Sequence, residues 1–125
     1  MHPRSAIVLF AHGARDPEWA EPFRRIQDRV AAERPAVAVL LSFLEFMQPS
    51  LANAVEQAVH AGARDITVVP LFMAQGGHLK HDVPHLMAEL RHRHPATAIR
   101  LAPAIGDVAE ILEEIARWVC REHPR

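Results

Sequence analysis

Residues 6–13 read AIVLFAHG, six apolar residues followed by a histidine and a glycine. A short apolar run bounded by a turn signal predicts a buried β-strand, here from about Ala6 to Ala11. Gly13 predicts a sharp turn after the strand and leaves room beside the imidazole of His12. The histidine is therefore expected at the carboxyl end of the strand, on a loop that precedes a helix.

The rest of the chain repeats this pattern of an apolar run followed by a segment of helical period. Further strands are predicted at about 37–44, 65–72 and 98–102, each followed by a helix, the last at about 107–121. The runs are continuous and not alternating, which is typical of a parallel sheet covered on both faces. Right-handed crossovers then favour a doubly wound α/β fold with the strand order 2-1-3-4.

The helices carry clear start signals and apolar faces. The first is predicted to begin after the capping residue Asp16, with Pro17 in its first position. Its buried stripe is predicted to be Trp19, Phe23, Ile26 and Val30. The last helix is predicted to carry its apolar face at Val108, Ile111, Leu112, Ile115 and Val119. Pro84 is expected in the first turn of the third helix, because proline deeper in a helix costs about 3 kcal/mol.

Polar residues at the ends of three apolar runs predict the functional site. His12 follows the first run, Glu45 the second, and His78 the third, across Gly76 and Gly77. If the strands are parallel, these side chains gather at the carboxyl edge of the sheet, where open α/β folds bind ligands. Two imidazoles and a carboxylate are a usual ligand set for a divalent transition metal. The residues alone also allow a loop histidine that caps carbonyl groups and a carboxylate that faces solvent.

The segment around His78 is the densest polar cluster of the chain. Its glycines leave backbone amides free to approach a ligand near the start of a helix. His78, His81 and His85 are spaced three and four apart and would share a helix face, which is either a second metal site or a solvated surface. Asp82 either orients a histidine or caps the helix before Pro84.

Length and composition narrow the class of protein. The chain of 125 residues is expected to form one domain, 1–125, and its net charge of −1 argues against binding to nucleic acid or anionic membranes. The single cysteine, Cys120, excludes an internal disulfide. Six apolar residues before His12 are too few for a signal segment or a membrane span, so a cytoplasmic location is expected. Walker, GxGxxG, GxSxG and paired CxxC motifs do not occur, and no organic cofactor is expected.

Three ordered motifs connect the chain to a known family. They are His12-Gly13, then Ser42-Phe43-Leu44-Glu45 with Pro49-Ser50-Leu51, then Gly76-Gly77-His78 through Asp82-Val83-Pro84. With these motifs the chain resembles the small form of the sirohydrochlorin cobaltochelatases and ferrochelatases, class II tetrapyrrole chelatases of cobalamin and siroheme synthesis. The resemblance extends from about Ala6 to Val119. It implies a flavodoxin-like chelatase half-domain that pairs with another copy.

The resemblance also implies roles for individual residues. The functional histidines of the family map onto His12 and His78, and its acidic partner onto Glu45. These three would hold the metal and catalyse its insertion. Relatives often have serine where Ala14 stands, so a hydroxyl that could bind substrate is missing here.

The implied reaction is insertion of Co²⁺ or Fe²⁺ into sirohydrochlorin, with the divalent metal (Co²⁺, Fe²⁺ or Ni²⁺) as a substrate. Neutral imidazole suits these ions and can accept a proton. Arg15 and Lys80 either pair with substrate carboxylates or are ordinary surface charges. The residues expected to contact the ring or lie beside it are Phe46, Met47, Phe72, Met73, Gly76 and Gly77. Two alternatives remain, a non-catalytic metal or tetrapyrrole carrier and a domain retained for partner binding.

An apolar patch next to the site predicts a contact between two copies of the chain. The patch is expected to consist of Leu44, Phe46, Met47, Phe72 and Met73. A site with three polar ligands needs fewer apolar residues than these as its walls. A contiguous apolar patch is usually a contact surface. A homodimer that packs near the carboxyl edge of the sheet is therefore expected, with both subunits forming walls of the cleft.

Overall fold

A four-stranded parallel sheet with the order β2-β1-β3-β4 forms the centre of the computed structural model, which describes residues 4–125. The strands are β1 (Ser5–Ala11), β2 (Ala38–Phe43), β3 (Asp65–Pro70) and β4 (Ala98–Leu101). The predicted α/β class, the parallel pairing and the strand order are confirmed. The order places the switch point between β1 and β3, so the loops after these strands diverge at the carboxyl edge.

Four α-helices and two 3₁₀ turns connect and follow the strands. The helices are α1 (Glu21–Glu33), α2 (Leu51–His60), α3 (Gly77–Arg93) and α4 (Ala109–Glu122); the 3₁₀ turns are Pro17–Ala20 and Ile105–Asp107. Asp16 caps the first 3₁₀ turn, because its Oδ1 accepts a hydrogen bond from the Glu18 backbone N–H at 3.0 Å. The predicted start signal is thus present, but it opens a 3₁₀ turn, and α1 begins four residues later.

The main hydrophobic core lies between the sheet and the pair α2 and α3. Alternate residues of each strand point to this side, including Val8 and Phe10 of β1 and Ile66 of β3. Leu51 of α2 and Met87 of α3 pack against them, and all five are at most 2% exposed. This thick layer holds the strand ends, and therefore the loops that follow them, in fixed positions.

The opposite face of the sheet is covered less completely. Helix α1 covers β2 and the adjoining part of β1, where Leu9, Leu41 and Phe43 are buried. The predicted stripe of α1 is only half-buried, and Ile26 is 41% exposed. The physical reason is that α1 lies over the β2 side of the sheet and, within residues 4–125, has no extensive contact with another α-helix. Trp19 and Phe23 stack with ring centroids 4.6 Å apart, and both pack against the buried residues on this face of the sheet.

Pro84 corrects one prediction. It lies in the interior of α3 and not in the first turn, because the helix already begins at Gly77. Asp82 consequently does not cap this helix, since the residue at the N-cap is Gly76. Pro84 is exposed, so its ring lies on the solvent side of the helix, where neighbouring groups leave room for it. The missing N–H still costs hydrogen bonding within α3, and packing of Val83 and Met87 against the core offsets it.

Within residues 4–125, no helix has the length and apolar character needed to cross a membrane.

Candidate functional site

The loops after β1 and β2 run side by side beyond the ends of their strands. The backbone N–H of Leu44 donates to the carbonyl of Ala11 at 2.9 Å, and that of Glu45 donates to the carbonyl of His12 at 3.1 Å. These bonds continue the parallel pairing of the two strands by two residues. Glu45 is therefore placed next to His12 by the sheet itself, and the predicted meeting of these two residues is observed.

Gly13 makes this close approach possible. Its φ is +93°, a conformation that side chains rarely adopt, and a Cβ atom here would overlap the carbonyl oxygen of Glu45. The predicted sharp turn after the strand is present. The space left by the missing side chain is filled by the backbone of Glu45. The glycine is thus required by the contact between the two loops.

His12 and Glu45 form a half-exposed pair at the carboxyl edge. The His12 Nε2 atom lies 3.1 Å from the Glu45 Oε1 atom, and the two side chains are 49% and 48% exposed. The imidazole lies edge-on to the ring of Phe72, with centroids 6.2 Å apart, and Phe72 packs on Phe10 at 5.2 Å. One side of the pair therefore rests on the core while the other is open. The pair offers one nitrogen and one oxygen ligand to a borderline divalent metal.

Phe46 presents its ring to solvent through an unusual turn. Its φ is +66°, and the Met47 N–H donates to the Glu45 carbonyl at 2.8 Å, which closes a three-residue turn. For a bulky residue such a conformation is strained and is often found at functional sites. The Phe46 side chain is 57% exposed, and the guanidinium Cζ of Arg15 lies 4.7 Å from its ring centroid. Arg15 and Phe46, both predicted site residues, are thus brought together.

Phe72 was predicted to lie in the apolar patch beside the site, but its side chain is not exposed there. It is 4% exposed and packs in the core, because it lies two residues after the end of β3 and its ring points to the α2 and α3 side. Its contact with the site is through the edge of the His12 ring. Met73, the next residue, is 54% exposed, and Met47 is half-buried against the cluster under α1.

His78 is not joined to the His12–Glu45 pair. It is exposed in the first turn of α3. Among residues 4–125, no group of three or more His, Cys, Asp or Glu side chains is close enough to hold a metal ion. The predicted set of three ligands is therefore not assembled in this conformation. The physical reason is that no hydrogen bond like those between the first two loops ties the residues just before His78 to them.

The glycines before His78 lie in open space. A Cβ atom built on Gly76 or Gly77 meets nothing within 4 Å, and neither residue has a positive φ. The conformation of this loop therefore does not require glycine. Backbone amides at the start of α3 can be approached from solvent, and the use of these glycines in binding a ligand stays a prediction. Lys80 is exposed on the same helix.

His81 and His85 lie together on the exposed side of α3. Their ring centroids are 4.7 Å apart, and Lys80, Pro84 and Ala88 complete the surface around them. Of the two readings of this face, the exposure of both rings fits a solvated surface. No third ligand joins them within the described residues.

Gly106 positions the loop after β3, and sequence reasoning missed it. Its N–H donates to the carbonyl of Phe72 at 3.0 Å, and a Cβ atom here would overlap the carbonyl oxygen of Met73. The 3₁₀ turn before α4 is thereby held against the loop after β3. The only signal in the sequence is a lone glycine between the last strand and the last helix, a position that a loop of any kind could occupy.

The chain has an open parallel α/β sheet with a histidine and a carboxylate paired at its carboxyl edge, and the comparisons with known proteins identify the family. Residues 6–122 match the model of the CbiX family, and the chain belongs to this family. The chain is 33% identical over 122 residues to a sirohydrochlorin cobaltochelatase of Sulfurisphaera tokodaii, a match that covers 95% of this chain and 97% of the relative.

Other relatives are longer than this chain. A sirohydrochlorin cobaltochelatase of Methanocaldococcus jannaschii is 34% identical over 89 residues, which are 71% of this chain and 62% of the relative. The chain likewise spans 59% and 57% of two further archaeal cobaltochelatases.

Two solved structures share the fold. A putative cobalamin biosynthesis CbiX protein from Marinobacter aquaeolei VT8 superposes with a TM-score of 0.81 and 35% identity, covering 94% of this chain and 96% of that one. The sirohydrochlorin chelatase SirB from Bacillus subtilis subspecies spizizenii, in complex with cobalt, gives a TM-score of 0.79 and 28% identity, covering 95% of this chain and 51% of that one.

Proposed function

We propose that this chain is a sirohydrochlorin chelatase that inserts a divalent metal, Co²⁺ or Fe²⁺, into the tetrapyrrole. The observation that carries the proposal is the His12–Glu45 pair, held 3.1 Å apart at the carboxyl edge of a CbiX-family sheet. Relatives of the same family are sirohydrochlorin cobaltochelatases and a sirohydrochlorin ferrochelatase. The metal is a substrate in this reaction, and no organic cofactor is needed.

The His12–Glu45 pair suits a metal that must be bound and then released. One imidazole nitrogen and one carboxylate oxygen are enough to hold Co²⁺, Fe²⁺ or Ni²⁺ while several coordination positions stay open for pyrrole nitrogens. Because both side chains are about half-exposed, the ion enters and leaves without opening the core. A closed site with four protein ligands would instead retain the metal.

The reaction must also remove two protons. The divalent ion enters as the two pyrrole N–H groups of sirohydrochlorin each lose a proton, so the products are the metallated ring and two H⁺. We assign the acceptor role to His12 and Glu45, since both can take a proton from a ring nitrogen within hydrogen-bond reach. Each proton then passes to water, to which both side chains are open.

We assign the contact with the tetrapyrrole ring to Phe46, Met73 and Arg15. Sirohydrochlorin has a broad apolar ring with carboxylates at its rim. Phe46 and Met73 are 57% and 54% exposed and offer apolar contact, and Arg15 next to the Phe46 ring can pair with a rim carboxylate. Gly76 and Gly77 leave the backbone at the start of α3 open to the ring edge, with Lys80 one turn further along.

We assign to His78 the role of a third ligand that joins the metal after His12 and Glu45 have bound it. It lies in the first turn of α3, directly after the loop that leads away from β3. The open space around Gly76 and Gly77 gives the start of α3 room to carry His78 toward the pair. Binding energy of the metal would drive this movement, because the metal interacts with His78 in one conformation and not in the other.

A homodimer around the site is part of the proposal. A tetrapyrrole is broad compared with the open edge of one four-stranded sheet, and the exposed residues of the predicted apolar patch, Phe46 and Met73, would line a cleft between two copies. Replacing Phe46 with aspartate should weaken association in light scattering at micromolar concentration. A parent that stays monomeric and inserts metal at full rate would argue against this assembly.

The decisive experiment is an anaerobic chelation assay with sirohydrochlorin and Co²⁺, Fe²⁺ or Ni²⁺, followed by the change in the absorption of the ring. A chelatase turns over many equivalents of ring and metal per chain. A carrier built on the same site would bind one equivalent and stop. A domain retained only for partner binding would show neither turnover nor metal affinity. The relative rates with the three ions would identify the preferred metal.

A further inference from the structure

Helix α3 carries two neighbouring histidines that the proposed reaction does not use. His81 and His85 are four residues apart, so they lie one turn apart on the same face of the helix. Their ring centroids are 4.7 Å apart, and the ring planes are tilted by 60°. Two imidazoles that bind one ion at about 2.1 Å, with an angle of roughly 90–110° between the bonds, have centroids roughly 4.6–5.3 Å apart. The observed separation therefore lies in the range of a chelating pair.

The nitrogens of both rings are free to bind a ligand. Neither ring takes part in a hydrogen bond or an ion pair with any residue of the range 4–125. His60, by comparison, lies 4.0 Å from a carboxylate oxygen of Glu56. A ring that is already hydrogen-bonded must give up that bond before it binds a metal, whereas the rings of His81 and His85 need not.

The helix backbone under the pair is held by the core. Val83 and Met87, which alternate with the two histidines along α3, are 4% and 1% exposed and pack in the main hydrophobic core. The two turns that carry His81 and His85 are thus fixed before any ion binds. Because little backbone freedom is lost on binding, two ligands are enough for a reversible site.

The surface around the pair has room for a hydrated ion. His81 and His85 are both exposed, so water can occupy the coordination positions that the two rings leave open. The ammonium group of Lys80 opposes a cation on this surface, whereas the carboxylate of Glu89, one turn after His85, favours it. The rings lie in a depression of about 340 Å³, lined by Lys80, His81, Pro84, His85 and Ala88.

We propose that His81 and His85 form a second metal site, which chelates one divalent transition ion such as Ni²⁺ or Co²⁺ through one nitrogen of each imidazole. Imidazole suits these ions, and the spacing of four residues on a rigid helix brings both rings to one ion. The site shares no residue with the His12–Glu45 pair. The proposal concerns binding only and holds whether or not the chain inserts metal.

The first test removes the His12–Glu45 pair, so that the second site is observed alone. Untagged His12→Ala/Glu45→Gln protein, with its fold checked by circular dichroism, is titrated with Ni²⁺ in a calorimeter. We expect one ion per chain. Binding should be about 10-fold to 100-fold weaker after His81→Ala or His85→Ala, because each imidazole then binds without its partner.

His92→Ala is the matched control for this titration. His92 is exposed on the same helix, but it lies about 10 Å along the axis from His85 and cannot share its ion. Its removal should leave the affinity for Ni²⁺ unchanged. The proposal would be overturned by equal affinities in the His81, His85 and His92 variants, or by a His12→Ala/Glu45→Gln protein that binds no Ni²⁺.

The second test keeps the number of histidines and changes their spacing. In Lys80→His/His81→Ala, the histidines at positions 80 and 85 are five residues apart, about 140° around the helix, so their rings cannot meet at one ion. This variant also lacks the ammonium group of Lys80, a change that by itself favours a bound cation. In the same background, we expect it to bind Ni²⁺ no more tightly than His81→Ala. Affinity equal to that of the unchanged pair would mean that histidine content, and not the geometry of the pair, holds the ion.

Thermal unfolding distinguishes a site of the folded protein from histidines of the unfolded chain. An ion that binds only the folded pair stabilises the folded state. With Ni²⁺ at about ten times its dissociation constant, the midpoint of the His12→Ala/Glu45→Gln protein should rise by about 3–6 °C, and EDTA should reverse the rise. A variant that also lacks His81 and His85 should show no rise. A midpoint that falls with Ni²⁺, or that rises equally in both proteins, would contradict the site.

Discussion

The loops after β1 and β2 pack directly on each other, whereas the loop after β3 leads to His78 across two glycines with open space around them. In the first region, backbone hydrogen bonds and the missing side chain of Gly13 fix His12 beside Glu45. In the second, the contact with Gly106 holds Phe72 and Met73, but no backbone hydrogen bond within residues 4–125 ties His78 to the first two loops. In the proposed function, the two fixed residues would hold the metal first, and His78 would join them and leave again when the metal is released.

Gly13→Ala should break the fixed region and is expected to have the largest effect. The new Cβ atom overlaps the Glu45 carbonyl, and φ at this position is +93°. The free energy of unfolding should fall by about 1–3 kcal/mol, and chelation should be lost because His12 and Glu45 separate. Urea unfolding and the anaerobic assay measure the two effects. Full activity in a stable variant would show that the contact between the loops is not needed.

His12→Ala and Glu45→Gln should reduce the chelation rate without changing the fold. Both side chains are about half-exposed, so their loss leaves no cavity in the core, and the thermal midpoint should stay within a few degrees. We expect the rate to fall about 100-fold for His12→Ala and about 10-fold for Glu45→Gln.

The double variant measures whether these two residues act as a pair. Because their atoms are 3.1 Å apart, the combined loss should be smaller than the product of the single losses. Strictly multiplicative losses would mean that each residue acts alone. Comparison with Glu45→Ala separates charge from shape, since equal losses in the two Glu45 variants favour charge.

Most of the fold could be predicted because it depends on patterns that lie within single segments. Continuous apolar runs and helical periods predicted the strands, the parallel order and the helices. Helix α4 shows the limit of this reasoning. Its apolar face, with Ile115 and Val119, was predicted correctly from the sequence pattern. A pattern does not say which surface covers such a face. Within residues 4–125, no strand covers it extensively.

The site was predicted only as far as sheet geometry determines it. His12 and Glu45 follow neighbouring strands, so parallel pairing alone brings them together. His78 is separated from its strand by a loop whose path depends on contacts that leave little trace in the sequence, such as that between Gly106 and Met73. Phe72 was expected in the apolar patch beside the site, but the pleat of β3 turns its side chain into the core, and the sequence alone does not show which way a residue just after a strand points.

His78→Ala tests the less constrained region, with His81→Ala as the matched control on the same helix. Both histidines are exposed, so neither substitution should change the thermal midpoint. The chelation rate should fall about 10-fold in His78→Ala and stay within a factor of about two in His81→Ala. Equal rates in the two variants would remove His78 from the proposed ligand set. A loss confined to His81→Ala would point instead to the face shared with His85.

Gly77→Ala is expected to have the smallest effect of these substitutions. It should raise the stability of the protein, whereas Gly13→Ala should lower it. Nothing lies within 4 Å of the new Cβ atom, and residue 77 already has a conformation that alanine adopts. Alanine loses less backbone entropy than glycine on folding, so the free energy of unfolding should rise by about 0.4–1 kcal/mol. The same stiffening should slow the approach of His78 to the metal and lower the chelation rate about twofold to fivefold. In a His78→Ala background, Gly77→Ala should leave the chelation rate unchanged. A fall in stability would mean that Gly77 makes packing contacts although the space around it is open. An equal loss of rate in the His78→Ala background would mean that Gly77 acts on the ring and not through His78.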